Sequence, residues 1–160
     1  MFKKSILLFF ALIAISMTSS LAAKTFESDV MYRALIKSVD INDFILMAAQ
    51  YHRDAVVVSK KKTELLRHAL KRWEVDGDKL YSNGGKALLE MRFKNRLLNE
   101  NTSFETGIYH YKTIDKNNKI FEVYMHFEDL NIKTNGSWKV VMERNVKRAT
   151  SDEFNALPNW

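Results

Sequence analysis

The chain contains no cysteine and a single proline, Pro158, among its 160 residues. Without cysteine it has no disulfide, no thiol that carries a lipid and none of the paired cysteines of structural zinc sites. One proline and five glycines leave no proline-rich or glycine/serine-rich linker. The HExxH, GxSxG and GxGxxG motifs are also absent from the sequence. The sequence therefore predicts no metal and no cofactor, and no motif in it dictates a reaction.

A long apolar segment is missing as well. The run Ile6–Ile15 is too short to span a bilayer, which takes ~20 residues. Two lysines precede this run, and the small pair Ala22-Ala23 follows it, which is the pattern of a secretory signal peptide. An uncleaved anchor is the alternative, but the short run favours cleavage after Ala22 or Ala23. We therefore expect a periplasmic or secreted protein and exclude residues 1–23 from the fold prediction.

The rest of the chain is long enough for one domain with its own core. Lys3 and Lys4 account for two of the 25 basic residues, so against 19 acidic residues the remaining chain has a net charge of +4. That charge favours solubility, and no nucleic-acid-binding motif accompanies it, so no nucleic-acid partner is expected. The basic stretch Lys60–Arg72 is interpreted as a solvated helix face. A peripheral contact with an anionic membrane is the alternative.

Apolar residues at helical spacing predict helices in the first half of the chain. Residues 24–39 form the first predicted helix, and Asp40 is the predicted N-cap of the second. The β-branched segment Ala55–Val58 predicts a short strand. Thr63 is the predicted cap of a third helix. The first half is thus expected to supply the helical layer.

The second half has the alternation of β-strands. Turn signals at Asp76-Gly77 and at Asn83-Gly84-Gly85 precede it. Apolar and charged residues alternate from Leu89 to Lys94, and a further strand is predicted over Ser103–Thr113. Helices followed by a run of antiparallel strands predict an α+β fold, in which the helices cover one face of the sheet.

The clearest local pattern is a β-hairpin built from Ile120–Lys133 and Ser137–Arg148 around the turn Asn135-Gly136. Counting outward from this turn places Thr134 opposite Ser137 and Asp129 opposite Met142. One face is then predicted to join the core through Phe121, Val123, Met125, Phe127, Trp138, Val140, Met142 and Val146. We expect Trp138 to be largely buried.

The same predicted face carries Asp129 and Arg144, which the counting makes diagonal neighbours within side-chain reach. A charged pair on an apolar face costs desolvation free energy unless it is paired or hydrated. It is therefore either a buried structural pair or the polar floor of a pocket. The opposite face keeps apolar area among its charges, which predicts a homodimer through the sheet; the residues concerned are Tyr124, Leu130, Ile132 and Val141.

Three segments of the chain together resemble the NTF2-like (nuclear transport factor 2-like, SnoaL-like) domains, and in particular the small bacterial group DUF4440. They are YHRDAVVVS at Tyr51–Ser59, FETGIYHYK at Phe104–Lys112 and FEDLNIKTNGSWKVV at Phe127–Val141. The resemblance implies a cone, in which a strongly curved antiparallel sheet wraps around N-terminal helices and leaves a pocket. It also implies a dimer.

The resemblance covers roughly Asp40–Lys147. It divides the chain into a signal peptide (1–23), an N-terminal helix (24–39), an NTF2-like domain (40–149) and a C-terminal tail (150–160). Members of the superfamily include isomerases, dehydratases, cyclases and non-catalytic binding modules, so the fold does not choose the function.

Six residues are candidates for lining the pocket: Asp129, Arg144, Met142, Phe127, Tyr109 and Asp54. In the superfamily the position of Arg144 often lines the pocket. Asp54 either caps the turn before its strand or acts as a catalytic base. Tyr109, Tyr111 and Tyr124 either line the pocket or fill the sheet. His110 and His126 do not have a local metal-binding spacing, and ordinary surface or core roles are favoured for them.

Two functions remain open. The favoured one is a non-catalytic module that binds a small apolar molecule in the cone or a protein partner on its sheet. The alternative is an isomerase- or dehydratase-type enzyme with Asp129 or Asp54 as its base. A cavity of ~300 Å³ or more with two titratable side chains would favour the enzyme, and a filled cone an interaction protein.

Overall fold

The computed structural model describes residues 26–160, so the predicted signal peptide lies outside the described residues. Four helices and six strands form this part of the chain. In chain order they are α1 (Asp29–Asp40), α2 (Phe44–Ala48), β1 (Tyr51–Val58), β2 (Thr63–Leu65), α3 (Leu66–Ser82), β3 (Lys86–Leu98), β4 (Thr102–Ile114), β5 (Ile120–Thr134), β6 (Ser137–Arg148) and α4 (Ser151–Asn155). Among these residues, no helix combines the length and the apolar content needed to cross a membrane.

The six strands form one sheet in the order β2-β1-β6-β5-β4-β3. Neighbouring strands are antiparallel except β1 and β6, which run parallel. The α+β prediction is confirmed, but the sheet is mixed and not wholly antiparallel. A parallel pair needs a long connection, and the rest of the sheet, lying between β1 and β6 in the chain, provides it.

The starts of α2 and α3 differ from the sequence prediction. Asp40 is the last residue of α1, and Asp43 caps α2 by accepting a hydrogen bond from the Leu46 amide at 2.8 Å. The left-handed conformation of Asn42 (φ 54°) separates the two helices and places the cap three residues later than expected. Thr63 is not a helix cap, because it pairs with Val58 in the sheet.

The Asp76-Gly77 pair lies inside α3, where a turn was predicted. A Cβ atom on Gly77 would come within 2.4 Å of Asn42 Oδ1 and 2.9 Å of the Phe44 ring. Glycine is therefore required here by close packing of α3 against the start of α2, and not by a turn. The second turn signal is confirmed, because α3 ends at Ser82 with Asn83 as its C-cap, and Gly84 adopts a left-handed conformation (φ 76°).

The main core lies between α1 and the inner face of the sheet. Tyr32 of α1 is completely buried, and its ring packs edge-on against Phe93 at 4.9 Å between centroids. Phe93 in turn contacts Phe127 edge-on at 5.8 Å. Trp138 is buried in the same cluster, as predicted. The helix predicted as a separate N-terminal segment is thus part of the domain core.

The outer face of the sheet is partly covered by α4. Phe154 of α4 is buried and contacts the rings of His110 and Tyr124, which stack at 4.2 Å. His126 lies 3.4 Å from Glu153 of the same helix. This helix therefore occupies part of the face expected to form a homodimer, while Leu130 stays exposed beside it. The dimer remains a prediction.

Candidate ligand cavity

A cavity of about 580 Å³ opens between the helices and the inner face of the sheet. Its walls are mostly apolar, with side chains from α1, α2, α3 and strands β3 to β5. The aromatic residues of the lining are Phe44, Tyr51, Trp73, Tyr81, Tyr109, Tyr111, Phe121 and Phe127. The N-terminal helices are too few to fill the curved sheet, so an apolar space with an aromatic wall remains.

The polar floor of this cavity comes from the hairpin of β5 and β6. The pairing runs as predicted from Thr134–Ser137 to Asn131–Val140, and then Val141 forms a bulge. Beyond the bulge Asp129 lies opposite Glu143, not Met142. One extra residue in one strand moves the residues that follow it to the other face, and here this holds for Met142 to Asn145, up to a second register shift between Phe127 and His126.

The bulge overturns the predicted pair of Asp129 and Arg144. Arg144 is opposite Glu128 and donates a hydrogen bond to its carboxylate at 2.7 Å on the outer face. Met142 lies opposite Leu130, on the same outer side. In their place Glu143 and Asn145 face the cavity, with Asp129 and Phe127 opposite them.

Tyrosine hydroxyls hold the polar side chains of the floor in position. Tyr51 of β1 donates a hydrogen bond to Glu143 at 2.6 Å, and Tyr109 of β4 donates one to Asn145 Oδ1 at 2.8 Å. From behind the floor, Tyr32 donates to Asp129 Oδ2 at 3.2 Å. The second carboxyl oxygen of Asp129, Oδ1, is buried and has no hydrogen-bond partner among the described residues.

Burial and like-charge repulsion both act on the two carboxyl groups of the floor. Burial, followed by the charge of Glu143, raises the pKa of Asp129 well above its usual value. Burial also raises the pKa of Glu143, but the hydrogen bonds from Tyr51 and Asn145 oppose that shift. Carboxylates directly opposite each other on neighbouring strands repel. Both carboxyl groups therefore resist ionisation, and the hydrogen bonds from Tyr51 and Asn145 favour the charged form of Glu143.

A buried ion cluster lies behind the floor. Arg96 contacts Asp29 at 2.6 Å and forms a second ion pair with Glu105. Ser103 donates a hydrogen bond to Glu105 at 2.9 Å, and Asn131 donates to Ser103 and to Tyr32, each at 3.0 Å. Hydrogen bonds thus run without a break from Arg96 to Asp129. This cluster fixes Tyr32 and, through it, one oxygen of Asp129.

The structure separates the six pocket candidates into two groups. Asp129, Phe127 and Tyr109 line the cavity. Met142, Arg144 and Asp54 are absent from its described lining, and Asp54 is an exposed residue of β1 beside Arg53. Of the other tyrosines, Tyr111 lines the cavity and Tyr124 lies under α4 on the outer face.

Sequence reasoning missed Glu143, Asn145 and Tyr51. The first two flank Arg144, so the polar run Glu143–Asn145 was visible, but its phase depends on the bulge. Tyr51, the first residue of the segment YHRDAVVVS, is also the first residue of β1. Its role follows from the contact between distant elements, which no local pattern shows.

No family model and no curated protein matches the sequence. Solved structures do match it. A conserved protein from Planctomyces limnophilus has a TM-score of 0.65 at 10% identity, covering 77% of this chain and 95% of its own. An NTF2-like superfamily protein from Salmonella enterica has a TM-score of 0.61 at 12% identity, covering 78% and 92%. The chain has the NTF2-like fold.

Another solved structure that matches is a ketosteroid isomerase-like protein from Erwinia carotovora atroseptica, with a TM-score of 0.58 at 12% identity over 78% of this chain and 95% of its own. At these identities the likeness concerns the fold alone. The resemblance seen in the sequence is thus confirmed at the level of the NTF2-like fold. The assignment to the DUF4440 group remains a prediction.

The raised pKa of Asp129 predicts how stability depends on pH. A carboxyl whose folded pKa exceeds its unfolded value favours folding when protonated, so stability should decline as the pH rises above about 4 toward the folded pKa. Asp129→Asn removes this penalty and should raise the free energy of unfolding at pH 7 by on the order of 1–3 kcal/mol. Urea unfolding between pH 4 and pH 8 measures both effects.

The exposed Asp54 provides the matched control. Asp54→Asn should change the free energy of unfolding by less than ~1 kcal/mol, because this carboxylate is exposed and pairs with Arg53 only at the surface. An Asp129→Asn variant with the wild-type slope would show that Asp129 is not the buried acid of the floor.

Proposed function

We propose that this protein binds a small, mainly apolar molecule in the cavity of its NTF2-like fold. The observation that carries the proposal is the combination of a cavity of about 580 Å³ with apolar and aromatic walls and a polar floor of Asp129, Glu143 and Asn145. Natural small-molecule sites have this size and composition, with a few convergent polar groups that orient the ligand.

The unpartnered oxygen of Asp129 supports the same proposal. A buried acceptor without a hydrogen bond costs free energy, and here it belongs to a side chain that lines an open cavity. A polar group on a bound molecule would supply the missing hydrogen bond. The tyrosine hydroxyls are occupied by Glu143 and Asn145, so they hold these acceptors in place for the ligand.

The cavity exceeds ~300 Å³ and is lined by two buried carboxyl groups, which is the combination expected of an enzyme, so proton transfer is a second candidate function. A neutral Asp129 can donate a hydrogen bond to a carbonyl oxygen, while an ionised Glu143 can accept a proton from the adjacent carbon. Glu143 then returns that proton to another carbon of the same molecule, so the reaction is an isomerisation without net change in atoms. One neighbour in structure is called ketosteroid isomerase-like, which makes a β,γ-unsaturated ketosteroid a reasonable first substrate to assay.

Native mass spectrometry of the protein purified from the organism that makes it should reveal a retained small molecule. Val123→Trp would place a large side chain in the cavity and should abolish retention. Ile120→Trp, on the same strand but outside the described lining, should leave it intact. Catalysis is distinguished from binding by a substrate that the wild type converts and Glu143→Gln converts roughly 10²–10⁴-fold more slowly. Retention that is equal in Val123→Trp and wild type would contradict a ligand in this cavity.

A further inference from the structure

The charge of the cavity is opposite to that of the chain. The whole sequence has 25 basic and 19 acidic residues. The described lining of the cavity contains three acidic residues, Asp76, Asp129 and Glu143, and no lysine, arginine or histidine. A cavity for an anionic ligand would need basic groups, so this lining disfavours anions.

The cation behind the floor does not neutralise these acids. Arg96 makes its ion pairs with Asp29 and Glu105, which together already exceed its single charge. Glu105 is completely buried and adds to the negative potential at Asp129. Around the floor, the buried carboxyl groups therefore outnumber the one buried guanidinium.

The walls and the floor both suit a positive group. Eight aromatic rings line the cavity, and the faces of such rings attract organic cations within about 6 Å. Asp129 is only 3% exposed, and its Oδ1 lacks a partner among the described residues while the side chain lines the cavity. No donor among residues 26–160 reaches this oxygen, whereas Glu143 accepts a hydrogen bond from Tyr51.

We propose that the molecule bound in the cavity is an organic cation, with an ammonium group at Asp129 and Glu143 and an apolar body against the aromatic walls. The inference rests on the proposed function of small-molecule binding at the same site. An ammonium group brings several N–H donors, which the acceptor oxygens of the floor can receive. The apolar body of the ligand fills the part of the cavity that is lined by Trp73, Tyr111 and Val123.

Binding of a cation should release a proton. The titratable side chains beside the two carboxyls are Tyr32 from α1, Tyr51 from β1, and Glu105 and Tyr109 from β4. Asp76 of α3 lines the same cavity but is exposed, Arg148 of β6 acts on Tyr109, and Arg96 is paired with Asp29 and Glu105. The groups next to Asp129 and Glu143 are therefore mostly acids, and like-charge repulsion favours a proton on the floor when no ligand is bound. A bound ammonium group supplies positive charge in place of the proton. Its binding therefore favours the state in which both Asp129 and Glu143 are ionised.

Three molecules with one apolar cage test the proposal: 1-adamantylamine, 1-adamantanol and 1-adamantanecarboxylate. Isothermal titration calorimetry at pH 7, in two buffers of different ionisation heat, gives both the affinity and the protons released. The amine should bind roughly tenfold to hundredfold more tightly than the alcohol, with a net release of protons. The carboxylate should bind most weakly.

Glu143→Gln keeps the shape of the floor and removes one charge, so it should reduce the preference for the amine at least about tenfold and leave the alcohol affinity near that of the wild type. Glu90→Gln, an exposed carboxylate of β3 outside the described lining, is the matched control and should bind all three as the wild type does. Thermal unfolding of each variant verifies that it is folded. Asp129→Asn provides a second variant if Glu143→Gln does not fold.

The outcomes separate this inference from the proposed function. Equal or tighter binding of the alcohol overturns the organic-cation proposal and leaves small-molecule binding intact. A retained native molecule without a basic nitrogen, identified by its mass, does the same. If none of the three molecules binds and native protein retains nothing, both proposals are wrong.

Discussion

Arg96→Leu is expected to destabilise the fold by ~3–5 kcal/mol, because it leaves two buried carboxylates without their cation. The Arg96 side chain is 8% exposed, lies 2.6 Å from Asp29 and pairs with the fully buried Glu105. Its guanidinium also lies over the rings of Phe26 and Phe93, at 4.2 and 4.0 Å from their centroids. Chemical unfolding at pH 7 measures the loss in free energy.

The mechanism of this loss is testable through pH. If orphaned carboxylates cause it, protonating them should reduce the difference between variant and wild type, so the loss should be smaller at pH 4 than at pH 7. A loss caused only by missing packing would not depend on pH. The comparison of the two pH values therefore separates the charge of Arg96 from its volume.

Arg144→Leu is the matched control for this substitution. Arg144 was expected on the core face, but its side chain is 48% exposed and pairs with Glu128 on the outer face. Exposed ion pairs contribute about 0–1 kcal/mol, so this variant should unfold close to the wild type. A loss as large as that of Arg96→Leu would contradict the register of the hairpin beyond Val141.

The second large effect is expected from Trp138→Ala, with a loss of ~3–5 kcal/mol in the free energy of unfolding. Trp138 is 7% exposed and belongs to the main core cluster, where it follows directly on the hairpin turn. Its indole N–H donates to Glu27 at 3.4 Å. Truncation leaves a void between α1 and β6 that rigid strands cannot close. Guanidinium unfolding gives the difference.

Phe121→Ala is the control for removal of an aromatic ring. Phe121 is 57% exposed at the rim of the cavity, so truncation should cost well under ~2 kcal/mol. A Trp138→Ala loss below ~1 kcal/mol, or one equal to that of Phe121→Ala, would show that the tryptophan does not anchor the core.

Much of the fold could be predicted from local patterns. The Asn135-Gly136 turn has both residues at positive φ, as a two-residue hairpin turn requires, and it fixes the pairing of Thr134 with Ser137. Alternation identified β3 and β4, and helical spacing identified α1 and α3. These predictions are correct because turn geometry and the periodicity of apolar side chains depend on only a few neighbouring residues.

The incorrect predictions concern positions whose conformation depends on contacts with distant parts of the chain. The sequence predicts Gly77 as a turn residue, but it lies inside α3, where Asn42 and Phe44 leave no room for a Cβ atom. The sequence predicts Asp40 as the N-cap of the second helix, but the left-handed backbone of Asn42 shifts the N-cap of α2 to Asp43. In each case a local preference was weaker than the packing of α3 against the segment between α1 and α2.

The sequence by itself determined the α+β class, the hairpin turn, the burial of Trp138 and the place of Asp129 on the inner face. Only the tertiary structure decided which residues stand beside Asp129. Simple alternation puts Met142 and Arg144 there, whereas the bulge at Val141 brings in Glu143 and Asn145. No residue type in the sequence marks the position of a bulge. This bulge forms where the strands must bend around the helices and where β6 must also pair with β1. The composition of the candidate site thus depends on the curvature of the whole sheet.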